Sequence, residues 1–174
     1  TMHLIEHGHQ RIACVCGPAA WISSQRLTSG YVKAHAAAGM AVDDSLRVSV
    51  DDHTLEAGMM AARRLLELDE PPTAIMCAGD VVALGIIHEL PQAELGVPED
   101  IAVIGYGDIP FAAVSVPALS TIRLPAADLG RRAVEVLRMA IDAGTTQPPV
   151  TVPTSLVLRR SCGCSPDLIE ERRV

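Results

Sequence analysis

The chain has 174 residues, 49% hydrophobic and 20% charged, which is enough for one domain with a sizeable core and excludes a disordered or fibrous polymer. A formal net charge of -7 excludes a surface that grips nucleic acid by itself, because such binding needs clustered Lys and Arg to displace counterions. No apolar run reaches the roughly 18 residues of a membrane span and no signal-peptide pattern opens the chain; five cysteines, an odd number in a chain that needs no staples, point to a reducing, cytoplasmic compartment.

Residues 1 to 9 read as a helix closed at Gly8, and "RIACVC" (11 to 16) as a short buried strand. The loop "GPAAWISS" leads into a helix over "SQRLTSGYVKAHAAAG", opened by a serine cap and closed at Gly39, and "LRVSV" (46 to 50) is the next strand. In "TLEAGMMAARRLLELD", Leu55, Met59, Ala62 and Leu66 recur at spacings of three and four, which predicts an amphipathic helix stopped by Pro71 and Pro72. "TAIMCA" (73 to 78) is the third strand. Asp80 is expected to cap "VVALGIIHEL" (81 to 90), a helix apolar on almost every side, with the sheet on one flank and a second subunit on the other. "IAVIG" is the fourth strand, so strands and helices alternate as in a parallel sheet with helices on both faces. "FAAVSVPALSTIRLP" is expected to be a loop and then a short strand. "AADLGRRAVEVLRMAIDAG" puts Leu129, Ala133, Val136, Leu137, Ala140 and Ile141 on one helix face that needs a partner, and "TSLVLRR" (154 to 160) is the last strand before a polar tail.

Ligands of an open parallel sheet lie outside the carboxyl ends of its strands. The four tips here, 17 to 26, 51 to 53, 79 to 80 and 105 to 108, collect Ser24, Gln25, Arg26, Asp52, His53, Asp80 and Asp108, the equipment for a small polar ligand. Each also has a plainer reading. Asp80 serves as a helix cap, Asp108 before Ile109-Pro110 as an Asx-turn, and Gly105 and Gly107 as positive-φ turn residues. His53 in "DDHT" reads as solvated, and Arg26 as the partner of a carboxylate on its own helix. Cys14 and Cys16 share a strand face and Cys162 and Cys164 repeat the spacing, so four thiolates could in principle bind zinc. C-x-C is shorter than the usual zinc spacing and Cys14 lies in an apolar run, so no metal is assigned. G-x-S-x-G, H-E-x-x-H and G-x-x-x-x-G-K-[ST] are missing, and "GYGDIP" lacks the third glycine and following helix of a dinucleotide fingerprint. No catalytic residue and no cofactor is assigned.

Taken together, "HLIEHGHQRIACVCGP", "RLTSGYVKAHAAAGM", "PTAIMCAGDVVALGIIHEL", "GVPEDIAVIGYGDIPFAAVSVPALSTIRLPAADLGRRAVEVL" and "SLVLRRSCG" resemble the C-terminal half of the LacI/GalR (lactose-repressor) family of bacterial transcriptional regulators. The run "VPEDIAVIGYGDIP...PALSTIRLP" is the most telling, since periplasmic sugar-binding relatives share the fold but not that run. The resemblance implies one Rossmann-like, flavodoxin-like lobe of a periplasmic-binding-protein-like type I domain. Residues 1 to 124 would be the C-terminal lobe of the effector-binding domain. Residues 125 to 149 would be a crossover segment and helix packing on an N-terminal lobe, 150 to 161 a return strand, and 162 to 174 a polar tail.

It further implies an effector site of Arg26, His53, Gly79, Asp80, Gly107 and Asp108. Arg26 stands for the arginine of an R-L-x-G pattern, with one extra residue before Gly30, and His53 stands where the family has a large ring. Gly79 and Gly107 replace an Asn and an Asp, with Asp80 and Asp108 as their neighbours. With two hydroxyl-binding side chains gone, the site loses discrimination, and a simple free hexose is a less natural ligand. The function implied is allosteric and not enzymatic: a small-molecule effector, a sugar or related polar metabolite, binds between lobes and controls operator DNA binding. DNA would be held by a helix-turn-helix domain preceding this chain, and a homodimer would form through 81 to 90 and 111 to 119. A periplasmic-type sugar-binding protein on the same fold, and a small metal or redox protein using the paired cysteines, are the alternatives.

Overall fold

The computed structural model of the chain describes residues 1 to 164. A short helix, α1 (Met2–Glu6), precedes β1 (Ile12–Cys16), a strand buried at every position because both faces of the sheet are covered. Then follow α2 (Ile22–Ala37), β2 (Arg47–Ser49), α3 (Leu55–Leu66), β3 (Ala74–Cys77), α4 (Asp80–Glu89) and β4 (Ala102–Gly107). The chain continues through α5 (Pro110–Val114), β5 (Ser120–Arg123), α6 (Ala126–Ala143) and β6 (Ser155–Val157). The strands form one sheet in the order β2-β1-β3-β4-β5-β6.

The doubly wound α/β architecture is as expected, with one correction: the sheet is parallel only from β2 to β5, and β6 runs antiparallel to β5. Arg123 pairs with Ser155, so the excursion over 124 to 154 leaves and re-enters the sheet at the same rim. A strand entering there has to run back down.

One core cluster packs α3 and α4 on the sheet, through residues such as Val15, Leu65, Ile75, Ile86 and Val103. The other covers the opposite face with Leu4, Ile12, Tyr31, Ile104 and Leu158, and the hydroxyl of Tyr31 donates to the carbonyl of Ile12 at 2.8 Å. The buried face of α3 is Gly58, Ala61, Ala62 and Leu65, not the stripe of larger residues expected, and Leu55 is exposed. The reason is the neighbour. A Cβ on Gly58 would stand 2.2 Å from the carbonyl oxygen of Val82, and one on Gly85 would stand 2.1 Å from that of Leu55, so the two helices touch backbone to backbone.

That contact corrects the reading of 81 to 90 as half covered by a second subunit. Val82, Ala83, Gly85, Ile86, Ile87 and Glu89 are buried between α3 and the sheet, and only His88 is fully exposed. The buried Glu89 carboxylate accepts from Arg63 Nε at 2.7 Å and Nη2 at 3.0 Å.

Helix α2 starts at Ile22 with no side-chain cap, so Ser24 lies inside its first turn and does not open it. Asp80 likewise belongs to α4, whose N-cap is Gly79, and is not a cap. Residues 110 to 114 form a helix where a loop was expected, opened by Pro110 in the first turn and too short to display a period. Nor does the tail begin at 162: Cys162 and Cys164 are buried, because Gly163 at φ 79° turns the chain under α1, and cysteine packs as a small hydrophobe. Residues 165 to 174 of the expected tail lie outside the described residues. Helix α6 buries none of its residues. Among the described residues, no helix is long and apolar enough to cross a membrane.

Candidate functional site

Strand β1 has β2 on one side and β3 on the other, so strand order reverses there and a crevice opens at the carboxyl ends of β1 and β3. A cavity of about 830 Å³ lies over this rim. Arg26 from α2, His53 from the loop after β2, and Gly79 and Asp80 at the start of α4 line it, with Tyr106, Ile109 and Ile122 from the far side. The expected convergence of tips therefore occurs for four of the six site residues. Gly107 and Asp108 do not line the cavity; the flanking Tyr106 and Ile109 do.

His53 is seated by the shape of two other tips. Its ring lies edge-on to Trp21, with centroids 5.4 Å apart, and a Cβ would approach it to 3.0 Å at Gly17 and 3.3 Å at Gly79. Its Nε2 is buried and has no hydrogen-bond partner among the described residues, and a buried polar atom of that kind calls for a ligand or water. His53 is thus half-buried and packed, not solvated. Its backbone N–H donates to the Asp52 carboxylate at 2.7 Å, which holds the loop.

Asp80 is almost wholly buried, and both its oxygens are engaged within the fold. Oδ2 accepts from the N–H of Ile109 at 2.8 Å and Oδ1 accepts from the hydroxyl of Thr121. The carboxylate binds α4 to the loop after β4 and to β5. It also accounts for Gly105, where a Cβ would fall 2.3 Å from Oδ1; Gly105 is demanded by space, whereas Gly107, at φ 136°, is demanded by the backbone.

Asp108 turns away from the cavity onto two arginines. Its oxygens accept from Arg123 Nε at 2.6 Å and Arg159 Nη2 at 2.7 Å, while Arg159 Nη1 donates to the carbonyl of Leu119 at 2.7 Å. Burial works to raise its pKa, but the hydrogen bonds and charges of Arg123 and Arg159 outweigh it and hold the carboxyl below the usual range. Arg123 and Thr121 on β5 and Arg159 just after β6 were invisible as site residues because they lie far along the chain from the residues they hold. Trp21, the single tryptophan, stands in the first tip loop, and that was a usable signal.

Ser24 and Gln25 face a second cavity of about 690 Å³, which Cys14, Cys16, Arg47 and Ser49 also line. The Cys14 and Cys16 sulfurs lie 3.1 Å apart. That hydrogen bond pushes Cys14 up, with burial adding to it, and pulls Cys16 down against its burial.

The profile of the periplasmic binding protein-like domain matches residues 1–162. The chain belongs to the periplasmic binding protein-like domain family. Within the family it resembles LacI-type transcriptional regulators over most of its length, as the motifs implied. It is 38% identical over 160 residues to the ribose operon repressor of Escherichia coli (strain K12), covering 92% of this chain and 48% of that protein. Among solved structures, the transcriptional regulator CelR-cellobiose complex superposes with a TM-score of 0.86 at 34% identity, covering 92% of this chain and 49% of that one. A sugar-binding LacI-family regulator from Escherichia coli complexed with phosphate gives 0.84 at 31% identity, covering 92% and 57%. The chain spans about half the length of the curated relatives it matches.

Proposed function

We propose that this chain is the effector-sensing lobe of a LacI-type transcriptional regulator, and that its ligand is a small polar metabolite held at the rim where Arg26, His53, Gly79 and Asp80 meet. The observation that carries this is the cavity of about 830 Å³ at the topological switch point, containing a histidine whose buried Nε2 has no partner among the described residues. Arg26 would supply charge and donors at the lip, His53 a flat face and a ring nitrogen, and Tyr106 and Ile122 the apolar backing. Asp80 would act by holding the tips in place, since its oxygens already bind Ile109 and Thr121. Gly107 and Asp108 would shape the rim, Gly107 through its backbone and Asp108 through Arg123 and Arg159.

Two relatives are named for ribose and cellobiose. Here Gly79 and Gly107 offer no side chain to a sugar hydroxyl, which favours a ligand read by its ring face and charge over a free hexose. Binding between this lobe and a second one would favour one lobe arrangement, and coupling to operator DNA through a preceding helix-turn-helix domain would be worth about 1 to 3 kcal/mol. No enzymatic step belongs to this reading. The exposed Phe111, Val114 and Val116, beside Leu84 and His88, would form the homodimer contact, so that 111 to 119 contributes more of it than 81 to 90.

Titration calorimetry with pentoses, hexoses, nucleosides and organic acids tests the shared site. One wall should bind weakly or undetectably, while a protein carrying both lobes should bind one class and lose about tenfold or more on Arg26→Ala or His53→Ala, as a lost charged or unpaired polar contact implies. Micromolar binding by this chain alone, or indifference to both substitutions, would overturn the reading.

A further inference from the structure

The two ends of the described chain meet at a cluster that the effector site does not use. Cys162 and Cys164 lie in and just after the turn that follows β6, with their sulfurs 3.2 Å apart. Cys164 Sγ lies 3.4 Å from His3 Nε2 and 3.4 Å from His7 Nε2, so one imidazole from α1 and one from the residue that caps it face the C-x-C turn. The ligand atoms of His3, Cys162 and Cys164 all lie within 4.8 Å of one another. His3 in α1 and His7 at its C-cap are four apart, and the N–H of His7 still donates to the carbonyl of His3, so the two imidazoles keep the helical spacing at which they share a face and can chelate one ion.

We propose that His3, His7, Cys162 and Cys164 form a structural zinc site that fastens α1 to the closing turn of the lobe. Four features of the cluster point to a metal. First, two thiolates and two neutral imidazoles are a closed zinc set whose charge cancels the ion's, so burying it is tolerable. Second, the spacing is close to what such a site needs: with Zn–S near 2.3 Å and Zn–N near 2.0 to 2.1 Å, tetrahedral ligand atoms stand about 3.3 to 3.8 Å apart. For His3, Cys162 and Cys164, the observed 3.2 and 3.4 Å reach that by a small spreading of side chains, whereas His7, placed only against Cys164, has to swing its exposed ring inward to become the fourth ligand.

Third, His7 Nδ1 donates to the carbonyl oxygen of His3 at 2.8 Å, which places the proton on Nδ1 and leaves the Nε2 lone pair toward Cys164. Fourth, Cys162 is held as an outer shell would hold it. The Ser120 hydroxyl donates to Cys162 Sγ at 3.1 Å while its oxygen accepts from the Arg159 N–H at 2.8 Å. Ser161 Oγ donates to the carbonyl of Val103 at 2.6 Å, pinning the turn to β4. Binding would form two Zn–S and two Zn–N bonds and release two thiol protons to solvent. Cys14 and Cys16 take no part, so the four cysteines do not share one ion, as the sequence alone suggested they could.

The test uses the untagged chain, purified in reductant without added chelator. Mass spectrometry for metals should find about one zinc per chain, and cobalt(II) loaded after chelation should show a thiolate-to-metal charge-transfer band with the visible bands of tetrahedral cobalt. His7→Ala, on an exposed side chain, should weaken cobalt binding at least about tenfold with unchanged circular dichroism, and His3→Ala/His7→Ala should abolish tight binding. Cys14→Ser/Cys16→Ser should keep the metal. Should Cys162→Ser or Cys164→Ser fail to fold, alkylation of the wild type decides: zinc should protect Cys162 and Cys164, and a chelator should expose them. The site is overturned by a metal-free chain without the cobalt charge-transfer band, by unchanged affinity in both histidine variants, by loss of metal on replacing Cys14 and Cys16, or by a Cys162–Cys164 disulfide in freshly reduced protein.

Discussion

Asp108 reaches two arginines from different segments, Arg123 on β5 and Arg159 just after β6, and so joins the end of the antiparallel edge strand to the loop that follows β4. Its carboxyl is held below the ordinary range in the folded state, so the group contributes stability above the unfolded aspartate value of about 3.9 and loses it as pH falls through that value toward the folded one. Thermal unfolding across pH should show Asp108→Asn less stable than wild type at pH 7, with the gap closing below about pH 4; a gap independent of pH would contradict this linkage. At this scale the sequence offered residue types and left the partners open. Asp80 and Asp108 were each visible as a cap or turn former, and each instead accepts from groups about 15 to 50 positions away, a separation over which no local pattern carries information. His53 was legible as a ring at a strand tip. That Gly17 and Gly79 clear the space for it was not.

Helix α3 and helix α4 show what periodicity conveys and what it leaves undecided. Spacing of apolar residues predicts that 55 to 66 is helical, yet the buried face follows from a contact between Gly58 and Gly85. Gly85→Ala should cost about 1 to 3 kcal/mol in urea unfolding, because its Cβ would meet the backbone oxygen of Leu55 and the helices would have to separate. Helix α6 is the opposite case: its stripe is legible, but Leu129, Leu137 and Ile141 are all exposed. In this chain Leu137→Lys should therefore change the unfolding free energy measured in urea by no more than about 0.5 kcal/mol, whereas packing of that face on another lobe would make the same change costly.

For the molecule as a whole, exposed apolar side chains gather in and just after α5 and along α6, with others such as Ile22 and Met60 elsewhere. If α5 carries the homodimer contact, sedimentation at micromolar concentration should show a dimer, and Phe111→Glu/Val116→Glu should convert it to monomer without lowering the melting temperature. A wild-type monomer would place the contact elsewhere. What the amino-acid sequence determined by itself was the alternation of strand and helix, the gathering of strand tips on one rim, and the family, because each is written in local periodicity or contiguous motif. Tertiary structure alone decided that β6 runs backward, that α4 is covered within its own lobe, that Asp108 leaves the cavity, and that Cys162 and Cys164 face His3 and His7 rather than Cys14 and Cys16. These are pairings between groups far apart along the chain. Their partners are chosen by how whole layers pack, and packing is a property of the assembled sheet and helices that no short stretch of residues contains.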